Sequence, residues 1–564
     1  MLLFHAKENH HARYSAYLAE ILRLEGFADF DETELDRLDA EMLTGCDLAI
    51  LPRVALTAGQ AELLHAYVAR GGKLLALLPD SHFIQRFGLT PTWRAADAGW
   101  LHPAGDLAAA VCPHPVQIVV ATAGWAVADG ADAQVLAEHR PGKERDGAAA
   151  APAVVASRVG AGEAIFFAYD LAHAVARLRQ GNPDHADLCY AGLDGIVRPS
   201  ELFVGQLDVG QMLIPQADVH TALLARAVER LAPRPRLWYY PQPSQRSALI
   251  MTSDDDWSTV AQFEALLAGL AARRATCTFY IVPETKISGD LMRRWEEAGH
   301  TFSVHPALAG DIHRGLAKEQ PQSTQVAAML RENVRRHQAE FGRPVRTIRQ
   351  HAVRWLGDVE AARVLAELGV QMETNFVSVH PFPLGYMAGS GRALRFVAAD
   401  GALIDCYQQP TMWTEEVLIH PRFVFSFKWS VERALQEVEA MLAQATGQFY
   451  TPVTINSHPV SFATYSSPLI EGTWDRALAA GMPIWSADRW LGWTEARNSI
   501  RLQAVGQGYA LHTAQAVAQV TLLYPPGARL PADAATAQPV RLWGEEYHAV
   551  TIHDLAAGTV RQVG

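Results

Sequence analysis

The chain has 564 residues, 49% of them hydrophobic, 19% charged and 9% aromatic, with a formal net charge of −12. This length exceeds what one hydrophobic core supports, so roughly two to four domains are expected, and the apolar content excludes a chain dominated by disorder. The acidic balance and the lack of a long Lys/Arg run argue against a nucleic-acid partner.

The five cysteines (Cys46, Cys112, Cys189, Cys277 and Cys406) are isolated and odd in number, with no C-x-x-C pair. Neither a disulfide framework nor a thiolate zinc site is indicated. Met1-Leu2-Leu3-Phe4-His5 passes directly into polar Lys7, Glu8 and Asn9, without the basic and long apolar regions of a signal peptide. No apolar run reaches membrane-spanning length. The expectations are a cytoplasmic location and no membrane span.

Residues 1–235 alternate between strand and helix patterns. Strands are expected at Asp47–Pro52, Lys73–Leu78 and Ala164–Asp170, the last after the turn Gly160-Ala161-Gly162. Between the first two, Thr57 and Gln60 have the form of a capping box ahead of Leu63, Leu64, Tyr67 and Val68 on one helical face. This rhythm predicts a doubly wound parallel sheet with right-handed crossovers. The pattern resembles the flavodoxin-like fold of class I glutamine amidotransferases, especially their catalytically silent versions. That resemblance implies a domain that forms a homo-oligomer or covers an active site. The turn after Lys73–Leu78 reads Pro79-Asp80-Ser81-His82 with no Cys, and Cys46 precedes its strand, so the domain is expected to be non-catalytic.

A small-residue loop is expected at 142–151, and Pro233-Arg234-Pro235 with Pro241-Gln242-Pro243 brackets Leu237-Trp238-Tyr239-Tyr240. Such proline spacing marks an extended linker, and the domain boundary is placed there. Residues 236–497 then switch repeatedly between strand and helix periods, with strands expected at 247–252, 276–282, 300–304, 346–351, 370–374, 402–406, 452–457 and 483–485. Helices are expected at Thr259–Arg274, Gln325–Phe341, Val359–Leu368, Val431–Ala445 and Leu469–Ala480. Repeated βα units of this kind fit a distorted TIM-like (β/α) barrel, with catalytic groups at the carboxyl ends of its strands. Residues 498–564 carry short strands between Gly and Pro turns, a β-rich C-terminal module.

The chemistry concentrates at Ala248–Trp257, where an apolar strand ends in Asp254, Asp255 and Asp256. Three adjacent acids at a buried strand end repel one another unless a cation or proton is shared. Five short segments follow in order: Thr252-Ser253-Asp254-Asp255-Asp256, Gly299–His305, Arg349-Gln350-His351, Glu373–Phe376 and Ile455–Pro459. Their order at strand ends resembles the polysaccharide deacetylases of the NodB-homology group, carbohydrate esterase family four. The resemblance covers the middle of the chain. It implies an α/β fold and a hydrolase that uses a divalent metal, zinc first, to remove acetyl groups from an N-acetylated sugar or polysaccharide.

By position in those motifs, Asp254 is the general base, Asp255 the carboxylate ligand, His305 an imidazole ligand and His458 the general acid. Arg349 orients Asp254. The family's second metal histidine falls at Ala309, so His351 or His313 must replace it, and His351, at a strand end, is preferred. Asp256 is a further ligand or a cap for the next helix. His300 and His337 read as structural. Trp257, Trp355, Tyr386, Trp413 and Tyr465 fall after strands, and Gln408–Trp413 is expected to line the substrate. Two other functions stay open: hydrolysis of a small non-peptide amide on the same barrel, and a glycan-binding or assembly protein that has lost one ligand.

Overall fold

The computed structural model describes the chain except for residues 7–11, 143–144, 146–148, 187, 190–195, 309–322, 507, 532–536 and 564. Ala309, His313 and part of the 142–151 loop therefore lie outside the described residues.

The N-terminal region is built on a nine-stranded sheet. Its first five strands, in spatial order Asp31–Glu34, Leu2–His5, Ala49–Leu51, Lys73–Leu77 and Gly162–Phe167, are parallel. The capping box forms as read, with Thr57 and Gln60 bonding each other's backbone N–H at the start of the helix Ala58–Ala69. The other half of the sheet departs from a doubly wound fold. Ala151–Val159, Ala133–Pro141, Gly99–Pro103 and Val116–Ile118 extend it in antiparallel pairs. The reason is the turn at Gly160, a hairpin instead of a crossover. Gly160 has φ +59°, and a Cβ there would stand 2.2 Å from the Ala69 carbonyl oxygen, so the hairpin requires glycine.

In the middle of the chain, nine parallel strands and one antiparallel strand among the described residues divide between two sheets instead of closing one ring. One sheet runs Thr301–Val304, Thr278–Ile281, Leu249–Asp254, Val453–Ser457 and Trp413–Thr414, with Ile484–Ser486 also paired to Leu249–Asp254. The other runs Thr347–Ile348, Met372–Glu373, Leu403–Gln408 and the antiparallel Leu394–Val397. Ser303 Oγ donates to the Thr347 carbonyl across the seam at 2.5 Å. Asp488 accepts from the hydroxyls of Thr278, Thr301 and Thr347 and ties the same strands together. Leu249–Asp254 is buried along its whole length, so its inward and outward faces are both apolar until the chemistry begins at its end.

The linker is no loose tether. Arg236–Leu237 pairs with Val517–Tyr524 of a four-stranded C-terminal sheet, while Trp238, Tyr239 and Tyr240 are buried against Tyr450, Trp490 and Trp543. Beneath them, fully buried Glu25 accepts from Arg236, Arg392 and Thr221, and also from the Tyr239 hydroxyl. A buried carboxylate is tolerable only with this degree of pairing. Among the described residues, no helix is long and apolar enough to cross a membrane.

Candidate active site

The site grows from the end of the strand Leu249–Asp254. Strand alternation puts Thr252 and Asp254 on one face, and both meet Arg349, which follows the short strand Thr347–Ile348. Arg349 is 1% exposed. Its Nη1 donates to Asp254 Oδ1 at 3.2 Å, Thr252 Oγ1 at 2.8 Å and Asn456 Oδ1 at 2.6 Å. Its Nη2 donates to Thr411 Oγ1 and its Nε to the Thr374 carbonyl. Asn456 Nδ2 donates to the other carboxylate oxygen, Asp254 Oδ2, at 2.8 Å. The base candidate is thus held on both oxygens by groups that are themselves fixed.

The structure does not bring Asp255 to the cavity, contrary to its assignment as a metal ligand. Its carboxylate turns into the protein and accepts from the backbone N–H of Ser258 at 3.1 Å and of Val282 at 3.4 Å. Burial pushes Asp255 up to about 7, as expected for a carboxyl removed from water. Asp256 takes the inward place. The chain leaves the strand through two left-handed residues, Asp256 at φ +43° and Trp257 at φ +56°, a costly conformation of the kind found at functional sites. Burial alone would raise Asp256, but the neighbouring His458 and His305 hold it well below the usual carboxylate range.

His305 follows the strand Thr301–Val304. Its Nδ1 donates to the Arg349 carbonyl at 2.7 Å, which leaves Nε2 3.4 Å from Asp256 Oδ1. Burial lowers its affinity for a proton, but Asp254 and Asp256 outweigh burial and raise it. His458, at the end of Val453–Ser457, is anchored by Glu415, whose Oε1 accepts from both His458 Nδ1 at 2.8 Å and its backbone N–H at 2.9 Å. Its Nε2 faces Asp256 Oδ2 at 3.6 Å and Asp254 Oδ2 at 3.9 Å. Burial opposes its charge, yet Glu416, Glu415 and Asp256 hold His458 well above the ordinary imidazole value.

His351 lines the same cavity, its ring 5.7 Å from that of His305 and 5.3 Å from the indole of Trp257. Arg354 Nη1 stands 3.3 Å from His351 Nδ1. A guanidinium only donates, so Nδ1 accepts and Nε2 carries the ring proton. In this tautomer His351 is a hydrogen-bond donor.

These groups surround a cavity of about 290 Å³, with Arg198, Val353, Val377, Val379, Val417 and Phe423 completing its wall. Asp256, Glu416 and His458 each bring one donor atom within 4.8 Å of the others, and Asp256 Oδ1 is a buried oxygen with no hydrogen-bond partner. With His458 held protonated, the carboxylates of Asp256 and Glu416 and the His305 imidazole beside Asp256 are the donors that suit a divalent cation of the zinc class. Glu415, Glu416 and Asn456 were not singled out from the sequence. Conversely, Gln408–Trp413 does not line the cavity: Gln409 bonds the Gly391 carbonyl and Trp490, and Met412 and Trp413 lie in the core. Trp355 and Tyr386 are also core residues. His300 and His337 are structural as read, both buried and pushed down to about 4 by desolvation.

The sequence matches no family model and no curated protein. Among solved structures it is similar to Agd3, a novel carbohydrate deacetylase, at 10% identity and TM-score 0.44, over 100% of this chain and 98% of that one. A mutant of a CE4 family pseudoenzyme with restored enzymatic activity is similar at 11% identity and TM-score 0.26, over 44% of this chain and 69% of that one. The exo-beta-1,4-mannosidase Op5Man5 from Opitutaceae bacterium strain TAV5 is similar at 18% identity and TM-score 0.24, over 31% of each chain.

Proposed function

We propose that this cavity is the centre of a metal-assisted hydrolase that removes acetyl groups from an N-acetylated sugar or polysaccharide. One observation carries the reading. A carboxylate clamped on both oxygens, Asp254, stands 3.9 Å from an imidazole held protonated by its neighbours, His458, on the same cavity. A fixed base and a fixed acid on one cavity are what amide hydrolysis needs. The order of the strand-end motifs supports an acetylated glycan as substrate.

In this mechanism Asp254 takes the proton of the attacking water, while Arg349 and Asn456 keep its carboxylate oriented. His458 gives its Nε2 proton to the departing amine as the C–N bond breaks, yielding acetate and a free amine. Glu415 stabilises the charge on His458 and fixes its ring through Nδ1. A divalent metal would be held by the carboxylates of Asp256 and Glu416, with the His305 imidazole beside Asp256, and would supply Lewis-acid polarisation of the acetyl carbonyl. Residues 1–235 supply no nucleophile in this reading. Cys46 lies before its strand, and burial pushes its thiol up, away from a nucleophile's range.

The test is acetate release from a panel of N-acetylated oligosaccharides and small acetamides with added zinc. The wild type should act on a glycan, and Asp254→Asn should retain the fold and lose turnover. Activity on small acetamides alone would move the substrate to the non-glycan amides, and undiminished turnover by Asp254→Asn would refute the base assignment.

A further inference from the structure

The wall of the cavity that carries His351 is not made by the central strands alone. After Thr347–Ile348 the chain enters a short turn, His351–Val353, in which two consecutive non-glycine residues are left-handed, Ala352 at φ +56° and Val353 at φ +48°. Such backbone persists only where surrounding contacts over-determine it. Here the contacts come from far away in the chain. Arg198 Nε donates to the Ala352 carbonyl at 3.1 Å, and the Trp355 N–H donates to the Val197 carbonyl at 3.0 Å. The two bonds bracket the turn.

The segment that supplies them is itself seated firmly. Arg198 is 7% exposed and lies over the Phe425 ring at 5.3 Å. Immediately after it, Leu202 and Phe203 join the same core as Val304, Ile348, Trp355 and Phe376, with the rings of Phe203 and Phe376 6.1 Å apart. Residues 197–203, which precede the proline-bracketed linker, are thus packed into the central unit. Arg198 also lines the cavity alongside Asp254, His305 and His458.

We propose that Val197 and Arg198 form a strap that holds the strained 351–353 turn, and that Arg198 is a positioning residue for His351. Through this strap the N-terminal region completes the catalytic wall. The turn presents the His351 imidazole in the tautomer set by Arg354, as a hydrogen-bond donor for the substrate. This inference rests on reading the cavity as the catalytic site, but its primary test does not depend on turnover.

The test compares Arg198→Met, which keeps an apolar stem and removes the Nε donor, with Arg198→Lys, which restores a cationic donor. Histidine ring resonances, assigned by NMR in the full-length protein, are the first readout. Arg198→Met should move the His351 resonances and leave those of His300 and His337 in place. Arg198→Lys should return His351 toward its wild-type position. The second readout is kcat/KM for acetate release, expected to fall by about 10- to 100-fold in Arg198→Met, as for other partners one step removed from the chemistry. Unchanged His351 resonances in folded Arg198→Met would overturn the proposal, as would a Lys variant no better than Met. If Arg198→Met does not fold, Arg198→Gln is read against the same criteria. A wild type without acetate release would instead count against the hydrolase reading, with the His351 resonances still deciding the strap.

Discussion

Glu415→Gln isolates the charge behind the proposed acid. Glutamine keeps an oxygen where Glu415 Oε1 accepts from His458 Nδ1 at 2.8 Å and from its backbone N–H at 2.9 Å, so the ring should stay in place while the anion is lost. Both partners are buried, with side chains 7% and 0% exposed, and solvent therefore does little to screen the pair. A hydrogen bond to a charged group contributes about 1.5–3 kcal/mol and a neutral one about 0.5–1.5 kcal/mol. The substitution should remove roughly 1–2 kcal/mol from the protonated form of His458, about a tenfold loss in its affinity for a proton. Glu416 and Asp256 remain and keep the group above the free imidazole value. The sign follows from the raised native value. His458 is protonated in the fold to a higher pH than in the unfolded chain, so its stabilisation is complete below about 6.5 and disappears as pH rises through the native value. Glu415→Gln moves that loss to lower pH, and the alkaline limb of kcat moves with it. An NMR titration of the His458 ring measures this directly. A ring that moves but titrates as in the wild type would refute the electrostatic role given to Glu415.

Two further outcomes follow from the buried charges. Arg349→Met leaves Asp254 without its cation and should cost about 3–5 kcal/mol in urea unfolding; a loss under about 1 kcal/mol would mean that Arg349 is not the clamp described. His139, His173, His220, His300 and His337 are pushed down to about 4, in each case chiefly by burial. Unfolded imidazoles titrate near 6.5, so between about 6.5 and 4 the unfolded chain takes up protons that the fold refuses, and stability should fall over that window. Urea midpoints at pH 7 and pH 5 check it; equal midpoints would contradict the burial of these rings as neutral groups.

Much of the site is legible in the sequence because its groups close apolar strands. Asp254, His305, Arg349 and His458 each stand at or just past a buried strand, and the structure gathers them on one cavity. Motif position points to Asp255, whereas Asp256 is the acid that lines the cavity. Alternation puts Thr252, Asp254 and Asp256 on one face and Asp255 on the other, and the left-handed turn at Asp256 and Trp257 keeps Asp256 pointing to the cavity. Glu415 and Glu416 escaped notice because the strand before them, Trp413–Thr414, has two residues and no readable period. The contribution of Arg198 was invisible for a different reason. It depends on contacts across 154 positions of sequence, and no local pattern encodes those. In the fold, the capping box at Thr57 was written locally and formed, whereas the antiparallel half of the N-terminal sheet follows from a hairpin at Gly160 that a strand–helix rhythm does not predict.

The most direct measurement compares acetate release by wild type, Asp255→Asn and Asp256→Asn on the same acetylated glycan with zinc present. Asp255, pushed up to about 7 by burial, accepts from the Ser258 and Val282 backbone N–H groups and is turned away from the cavity, so asparagine is a fair replacement and most activity should remain. Asp256 faces His305 and His458 at 3.4 and 3.6 Å, and its replacement should abolish release while the protein stays folded. Activity lost in Asp255→Asn and kept in Asp256→Asn would contradict the site described.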